Sequence, residues 1–265
     1  MSLTGRRAAT LPELVIALLL LGLLGTVVTR ALLQQARATR AAIELAEINR
    51  SLEQASVWLG AELGDIGRTG SGSDLYHVAP ESLSYRATRS TGLTCLVARD
   101  EIRLLPHAST SWRAPQPGRD SILVLLGPDT ASGAIGQWVA LPLSGVTGSS
   151  CWGRPAIRLG TVLPIPPGSP DSTTLHPVRT FEVMQAKLYR SQGRWWLGAR
   201  SESAGEVVQP VAGPLVPGGL RLTYSDSLGR PVFAAGEVRQ IEVRLVAGAG
   251  RLESTRVVFR PRSLQ

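Results

Sequence analysis

Lysine is almost missing from this chain: Lys187 is the only one, and the other basic residues are arginine. Aromatic residues make up 5% of the 265 positions, while Gly (28) and Pro (18) are plentiful. That balance disfavours an all-helical core and suits a loop-rich β domain. The three histidines, His77, His107 and His176, share no metal-ligand spacing. The two cysteines, Cys95 and Cys151, are far apart and have no histidine cluster near them, which argues against a zinc site. HExxH, GxSxG, the phosphate-binding GxxxxGK[ST] and GxGxxG are all absent. Asp74, Asp120 and Asp171 lie near Ser or Gly, but without the spacing of an EF-hand calcium loop. The chain therefore reads as a non-enzyme with no metal or other cofactor.

The formal charge is +8. The arginines are scattered rather than blocked, and no basic run is interleaved with aromatics. The charge reads as a solvated surface, with no nucleic-acid partner expected. Cys95 and Cys151 leave two readings open. If the region is exported they can form a disulfide, whose loop stabilises the fold by about 3–4 kcal/mol in the chain-entropy model. Otherwise they are two buried thiols.

Charge and hydropathy are most unevenly placed at the N-terminus. Residues 1–8 are short and basic, with Arg6 and Arg7. An almost unbroken apolar run then extends from Leu11 to Val28. As a helix it is about 27 Å long, close to the thickness of a hydrocarbon core. One acid, Glu13, interrupts its start. A carboxylate there costs a few kcal/mol unless it is partnered or stays wet. Beyond the run, Leu45, Ile48, Leu52, Ala55 and Leu59 recur at three- and four-residue spacing, with Arg37, Arg40, Glu44, Glu47, Arg50 and Glu53 between them. This predicts an amphipathic continuation to about Leu63, ending near Gly64 and Gly67. Arg30, Arg37 and Arg40 follow the run just as Arg6 and Arg7 precede it, so basic residues alone do not set the orientation.

The segment Ala9-Thr10-Leu11-Pro12-Glu13-Leu14 resembles the N-terminus of type IV prepilins and type II secretion pseudopilins. In that family a basic leader ends at a small residue, the mature chain begins aromatic-Thr-Leu-x-Glu-Leu, and a long apolar helix follows. Placing Glu13 on the family glutamate implies cleavage by prepilin peptidase between Ala8 and Ala9, and N-methylation of Ala9. Ala8 stands where Gly is usual and Ala9 where Phe is usual. The resemblance also implies that Glu13 neutralises the N-terminus of a neighbouring subunit during assembly, because a buried pair is tolerated where a single charge is not. Pro12 suits a first helical turn, where its missing N–H is not needed. The implied layout is a leader (1–8), a transmembrane part (9–29), an amphipathic continuation (30–66) and an extracytoplasmic β-rich domain (67–265). The implied location is the bacterial inner membrane, single-pass, with the leader in the cytoplasm and the C-terminal domain in the periplasm. The implied partners are prepilin peptidase and other pilin or pseudopilin subunits.

The rest of the chain alternates short β-like runs with turns. Arg68 to Ser73 reads as a loop. Leu93–Ala98 and Glu101–Leu105 read as a hairpin around Arg99-Asp100, and Ser121–Leu126 and Trp138–Leu143 as strands. Pro164 to Pro177 reads as a loop. Thr180–Tyr189 and Trp195–Arg200 read as a hairpin around Ser191-Gln192-Gly193, with Leu220–Tyr224, Gln240–Val246 and Thr255–Phe259 following as strands. The expected fold is α+β: a long N-terminal helix packed on an antiparallel, pilin-like β domain. The helix end, Trp58 to Gly67, and the finish, Val238–Leu245 with Arg256–Arg260, are similar to the PilW class of minor pilins and the J class of minor pseudopilins. Two other readings use the same residues. Ala36-Arg37-Ala38 resembles a conventional signal-peptidase site, which gives a secreted protein beginning at Thr39. An uncut chain gives a single-pass membrane protein with an external β domain.

Overall fold

The structure, a computed structural model, describes residues 11–69, 72–105, 110–111, 113–126, 137–165, 175–248 and 252–263. Ala8, Ala9, Thr10, His107 and Asp171 lie outside the described residues. The chain divides into two compact units, Met1–Glu47 and Ile48–Gln265.

One helix, α1, runs from Leu11 to Leu63. Its sequence is rich in Leu, Ala, Arg, Glu and Gln and has no proline after Pro12, so nothing interrupts it. It stops at Gly64, whose N–H donates to the Gly60 carbonyl at 3.0 Å. A Cβ at Gly64 would lie 2.6 Å from that same oxygen, which is why glycine stands there. In the second unit the helix buries Ile48, Leu52, Ala55, Leu59 and Leu63, the stripe that the spacing predicts.

That stripe packs on an open antiparallel sheet. The sheet takes the first half of β4 (Ser82–Val97) with β3 (Leu75–Ala79) at its side, the second half of β10 (His176–Ser191), β11 (Arg194–Ser201), β12 (Gln209–Ser225), β13 (Gln240–Ala247) and the edge strand β14 (Glu253–Phe259). Leu83, Tyr85, Ala186, Leu197, Leu220, Ile241, Val243 and Leu245 form one core with the helix stripe. Leu59 is fully buried in it. Leu59→Ala is expected to cost about 3–5 kcal/mol through lost transfer energy and the cavity left behind, read as a lower urea midpoint with unchanged slope.

The remaining strands do something the sequence pattern did not predict. β4 and β10 continue past the open sheet and pair with β5 (Glu101–Leu104) and β7 (Ser121–Leu126), and the short β6 (Thr110–Ser111) pairs with β4 at Ser90 and Thr91. β7 pairs with β8 (Gln137–Cys151), β8 with β9 (Arg154–Thr161), and β9 with β5. Pairing thus closes on itself through β4, β5, β9, β8, β7 and β10, making a six-stranded antiparallel barrel. Closure removes the exposed edges that an open sheet would present. Its interior is a second core of Val97, Ile102, Leu104, Ile122, Val124, Leu141, Leu143, Leu159 and Val178.

Several local readings need correcting. Arg68–Ser73 is not simply a loop. Gly67–Thr69 (β1) and Gly72–Ser73 (β2) pair as strands, and β1 also pairs in parallel with β15 (Arg262–Ser263). Strand β4 starts eleven residues before the expected Leu93, by the difference of the two positions, and β8 runs on to Cys151. Pro177 lies in β10 rather than in a loop. Strand β9 was hidden because its hairpin turns on Trp152-Gly153. Both residues have positive φ, 49° and 74°, and tryptophan gives no turn signal at a position where Asn or Gly is usual. Gln192-Gly193, with φ of 50° and 78°, makes the same kind of turn between β10 and β11, as that spacing predicts.

Candidate functional site

The first unit offers a helix surface. Leu11, Leu14, Ile16, Leu18, Leu19, Leu21 and Leu23 are all exposed, and the best 18-residue window has a mean hydropathy of 2.4 with none of it buried. Such a surface is costly in water at about 25 cal/mol per Å² of apolar area, and a bilayer or other helices remove that cost. The polar side chains in the run suit an apolar medium. The Thr26 hydroxyl donates to the Leu23 carbonyl and the Thr29 hydroxyl to the Gly25 carbonyl, each at 2.8 Å. These hydrogen bonds need no water, so they would persist in hydrocarbon. Glu13 sits in the first turn, where the helix dipole favours a negative charge. The chain thus has one helix long and apolar enough to cross a membrane.

In the second unit, Cys95 on β4 and Cys151 at the end of β8 form a disulfide with Cα atoms 6.2 Å apart. It packs with Ala156 and Leu105 at the barrel wall. Of the sequence-derived site residues, the structure joins these two. It places Glu13 in the other unit.

The feature that sequence reasoning missed is a cluster of charges where the barrel meets the open sheet. On one edge β10 pairs with β7 at residues 178–181 and with β11 from residue 184 onward. Glu182 falls between these two partners and is 2% exposed. On its other edge β10 pairs with β4, where the register slips between Thr180 and Phe181, leaving Arg89 as the extra residue of a β-bulge. Bulges re-aim side chains. Here the Arg89 guanidinium bonds Glu182 through Nε and the helix residue Glu62 through its two terminal nitrogens, at 2.9 and 3.2 Å. Tyr85, fully buried, donates its hydroxyl to Glu62 at 3.1 Å. From the loop before β7, Arg119 bonds Glu182 at 2.6 Å and also pairs with Glu206. Arg113 holds Asp120 with two bonds of 2.6 Å and approaches Glu182 at 3.3 Å.

The electrostatics follow from this geometry. Burial pushes the Glu182 carboxyl up, but the hydrogen bond and charge of Arg89, with the bonds from Arg119 and Ser201, outweigh it and hold the group at about 2. Burial pulls the Arg89 guanidinium down, yet Glu62 and Glu182 together hold it above its ordinary value. Burial, followed by the neighbouring Glu62 charge, pushes the Tyr85 hydroxyl well up. The cluster is therefore a brace of fixed charges joining the helix end, both long strands and two loops. No signal along the chain could have found it, because Glu62, Arg89, Arg119, Glu182 and Glu206 come from five separate segments.

Asp74 and Asp120, noted for their loop setting, are engaged by Arg86 and Arg113. Among the described residues no group of His, Cys, Asp or Glu is arranged to hold a metal ion. His77 lies on β3 and His176 on β10, in separate elements.

No family model, curated protein or solved structure matches this chain.

Proposed function

We propose that the chain is a minor pilin or minor pseudopilin: a structural subunit that enters a type IV pilus-like filament or type II secretion pseudopilus through its N-terminal helix. The observation that carries this reading is helix α1, with Glu13 in its first turn, an exposed apolar half, and a second half buried under an antiparallel sheet. Thr10, Leu11, Glu13 and Leu14 supply the motif. The mechanism is assembly rather than turnover. Prepilin peptidase cuts between Ala8 and Ala9, and the new amino group of one subunit meets Glu13 of the next as the helices pack. The disulfide supports a location for the second unit outside the reducing cytoplasm. The apolar half then lies in the inner membrane before assembly.

Intact mass of the chain purified from membranes tests this. The expected mature chain begins at Ala9 and carries one methyl group on its nitrogen. A chain beginning at Thr39 would instead make it a secreted protein, and an intact Met1 an unprocessed membrane protein. Glu13→Ala is expected to leave membrane insertion unchanged and to abolish co-purification with the other subunits of the filament.

A further inference from the structure

Arginines far apart along the chain meet on the sheet. Arg221 on β12 lies directly across from Arg244 on β13, and Arg244 directly across from Arg256 on β14. All three are exposed, on the face turned away from the helix. Like charges set directly opposite on neighbouring strands are destabilising. Here three stand in a row, about 5 Å from strand to strand. Glu242 pairs with Arg256 at 2.6 Å. Among the described residues no carboxylate pairs with Arg221 or Arg244. Exposed Arg260, just beyond β14, adds a further positive charge at that end.

The row leads somewhere. Arg221 and Thr223 line a cavity of about 410 Å³ together with Phe233 and with Glu242, the carboxylate that Arg256 holds. Phe233 is 89% exposed, the most exposed large apolar side chain described. A row of arginines of which only Arg256 is paired, ending at a bare aromatic ring, is a combination that suits single-stranded nucleic acid: cations track the backbone, and a ring takes a base on its face.

We propose that the outer face of β12, β13 and β14 binds a single-stranded polynucleotide, with successive phosphates on Arg256, Arg244 and Arg221 and a base against Phe233 in the adjoining cavity. The row is one arginine wide, lies on a sheet face and ends at a cavity. It fits a linear polyanion carrying flat groups better than it fits a lipid surface, which offers a plane of charge and is met by protruding tips. The proposal departs from the surface reading of the +8 charge because register, not sequence proximity, assembles the row. The proposal does not depend on how the N-terminus is processed.

The test uses the full chain in neutral detergent micelles and a fluorescent oligothymidylate of about 12 nucleotides, followed by anisotropy. The triple variant Arg221→Gln, Arg244→Gln, Arg256→Gln is expected to bind at least about tenfold more weakly. Its log affinity should also fall with log salt by about 2 less than the parent's, the slope of three lost phosphate contacts on a single strand. A charge-matched control, Arg154→Gln, Arg190→Gln, Arg194→Gln, removes three exposed arginines elsewhere and should bind as the parent does. Phe233→Ala should weaken oligonucleotide binding by about 5- to 100-fold and leave the salt slope unchanged. Since all seven side chains are exposed, each variant should fold as the parent does, and relief of the repulsion across the strands should if anything raise the melting temperature of the row triple. The proposal is overturned if the row and control triples behave alike. It is also overturned if dextran sulfate, which has no bases, binds as tightly per charge and ignores Phe233→Ala. Displacement of the oligonucleotide by phosphatidylglycerol micelles at equal phosphate would reassign the face to an anionic lipid surface.

Discussion

Arg89→Met is expected to lower the unfolding free energy by about 3–5 kcal/mol, among the largest effects of any exchange of similar volume in this chain. Removing one member of a buried ion pair leaves the others uncompensated, which costs more than the pair contributes. Arg89 stands between Glu62 and Glu182, so its loss also brings two carboxylates into repulsion across the gap. The double variant Arg89→Met, Glu62→Gln should recover part of the loss, because the second change removes one of the stranded charges. That non-additivity, measured in urea at neutral pH, separates an electrostatic brace from simple packing. If the two changes instead add, the brace is the wrong account.

The same cluster sets an acid limit. The folded-state value of Glu182, about 2, lies below its ordinary 4.5. A depressed carboxylate contributes stability that is complete above its unfolded value and lost as pH falls through the folded one. Glu182 therefore contributes about 3 kcal/mol at neutral pH, and this drains away between about pH 4.5 and pH 2. In Arg89→Met the carboxyl titrates at higher pH, so the acid transition should begin earlier. Urea midpoints taken across that range would show it. Coincident pH profiles for parent and variant would contradict the assignment.

Reduction of the disulfide, or Cys95→Ser with Cys151→Ser, is expected to cost about 4 kcal/mol, the chain-entropy value for a loop spanning a sequence separation of 56. The bond ties β4 to the turn end of the β8–β9 hairpin, where Cys151 pairs with Arg154, and both ends belong to the barrel. The loss should therefore show first in the barrel. Limited proteolysis under reducing conditions should cut between residues 98 and 175 before it reaches the open sheet. Simultaneous cleavage of both regions would mean that they unfold as one.

How far the sequence could be read depended on the range of the interactions. The helix was legible because Ile48, Leu52, Ala55 and Leu59 repeat within one element. The hairpins at Arg99-Asp100 and Gln192-Gly193 were legible because local turn chemistry makes them. Strands β4 and β10 were legible only in part. Inside them four inward positions, Ser90, Thr94, Thr180 and Glu182, are buried and polar, and these break the apolar alternation that marks a strand. Each is satisfied by a partner across the fold. The Ser90 and Thr180 hydroxyls, for example, are 2.6 Å apart although 90 residues separate them. Barrel closure, the brace around Glu182 and the arginine row share this cause: register between distant strands places their residues together, and no window along the chain contains it.

Strands β4 and β10 run side by side from Ser82 and Lys187 to Thr94 and His176. Whatever lies between Thr94 and His176 therefore departs and returns at one place, on neighbouring strands. The barrel's other four strands, β5, β7, β8 and β9, form a cassette plugged into this two-strand socket, keyed there by Arg113 and Arg119 reaching Glu182. A different cassette on the same socket would leave the helix and its sheet with all of their own core. The helix with its sheet and the strands inserted between Thr94 and His176 can thus change independently.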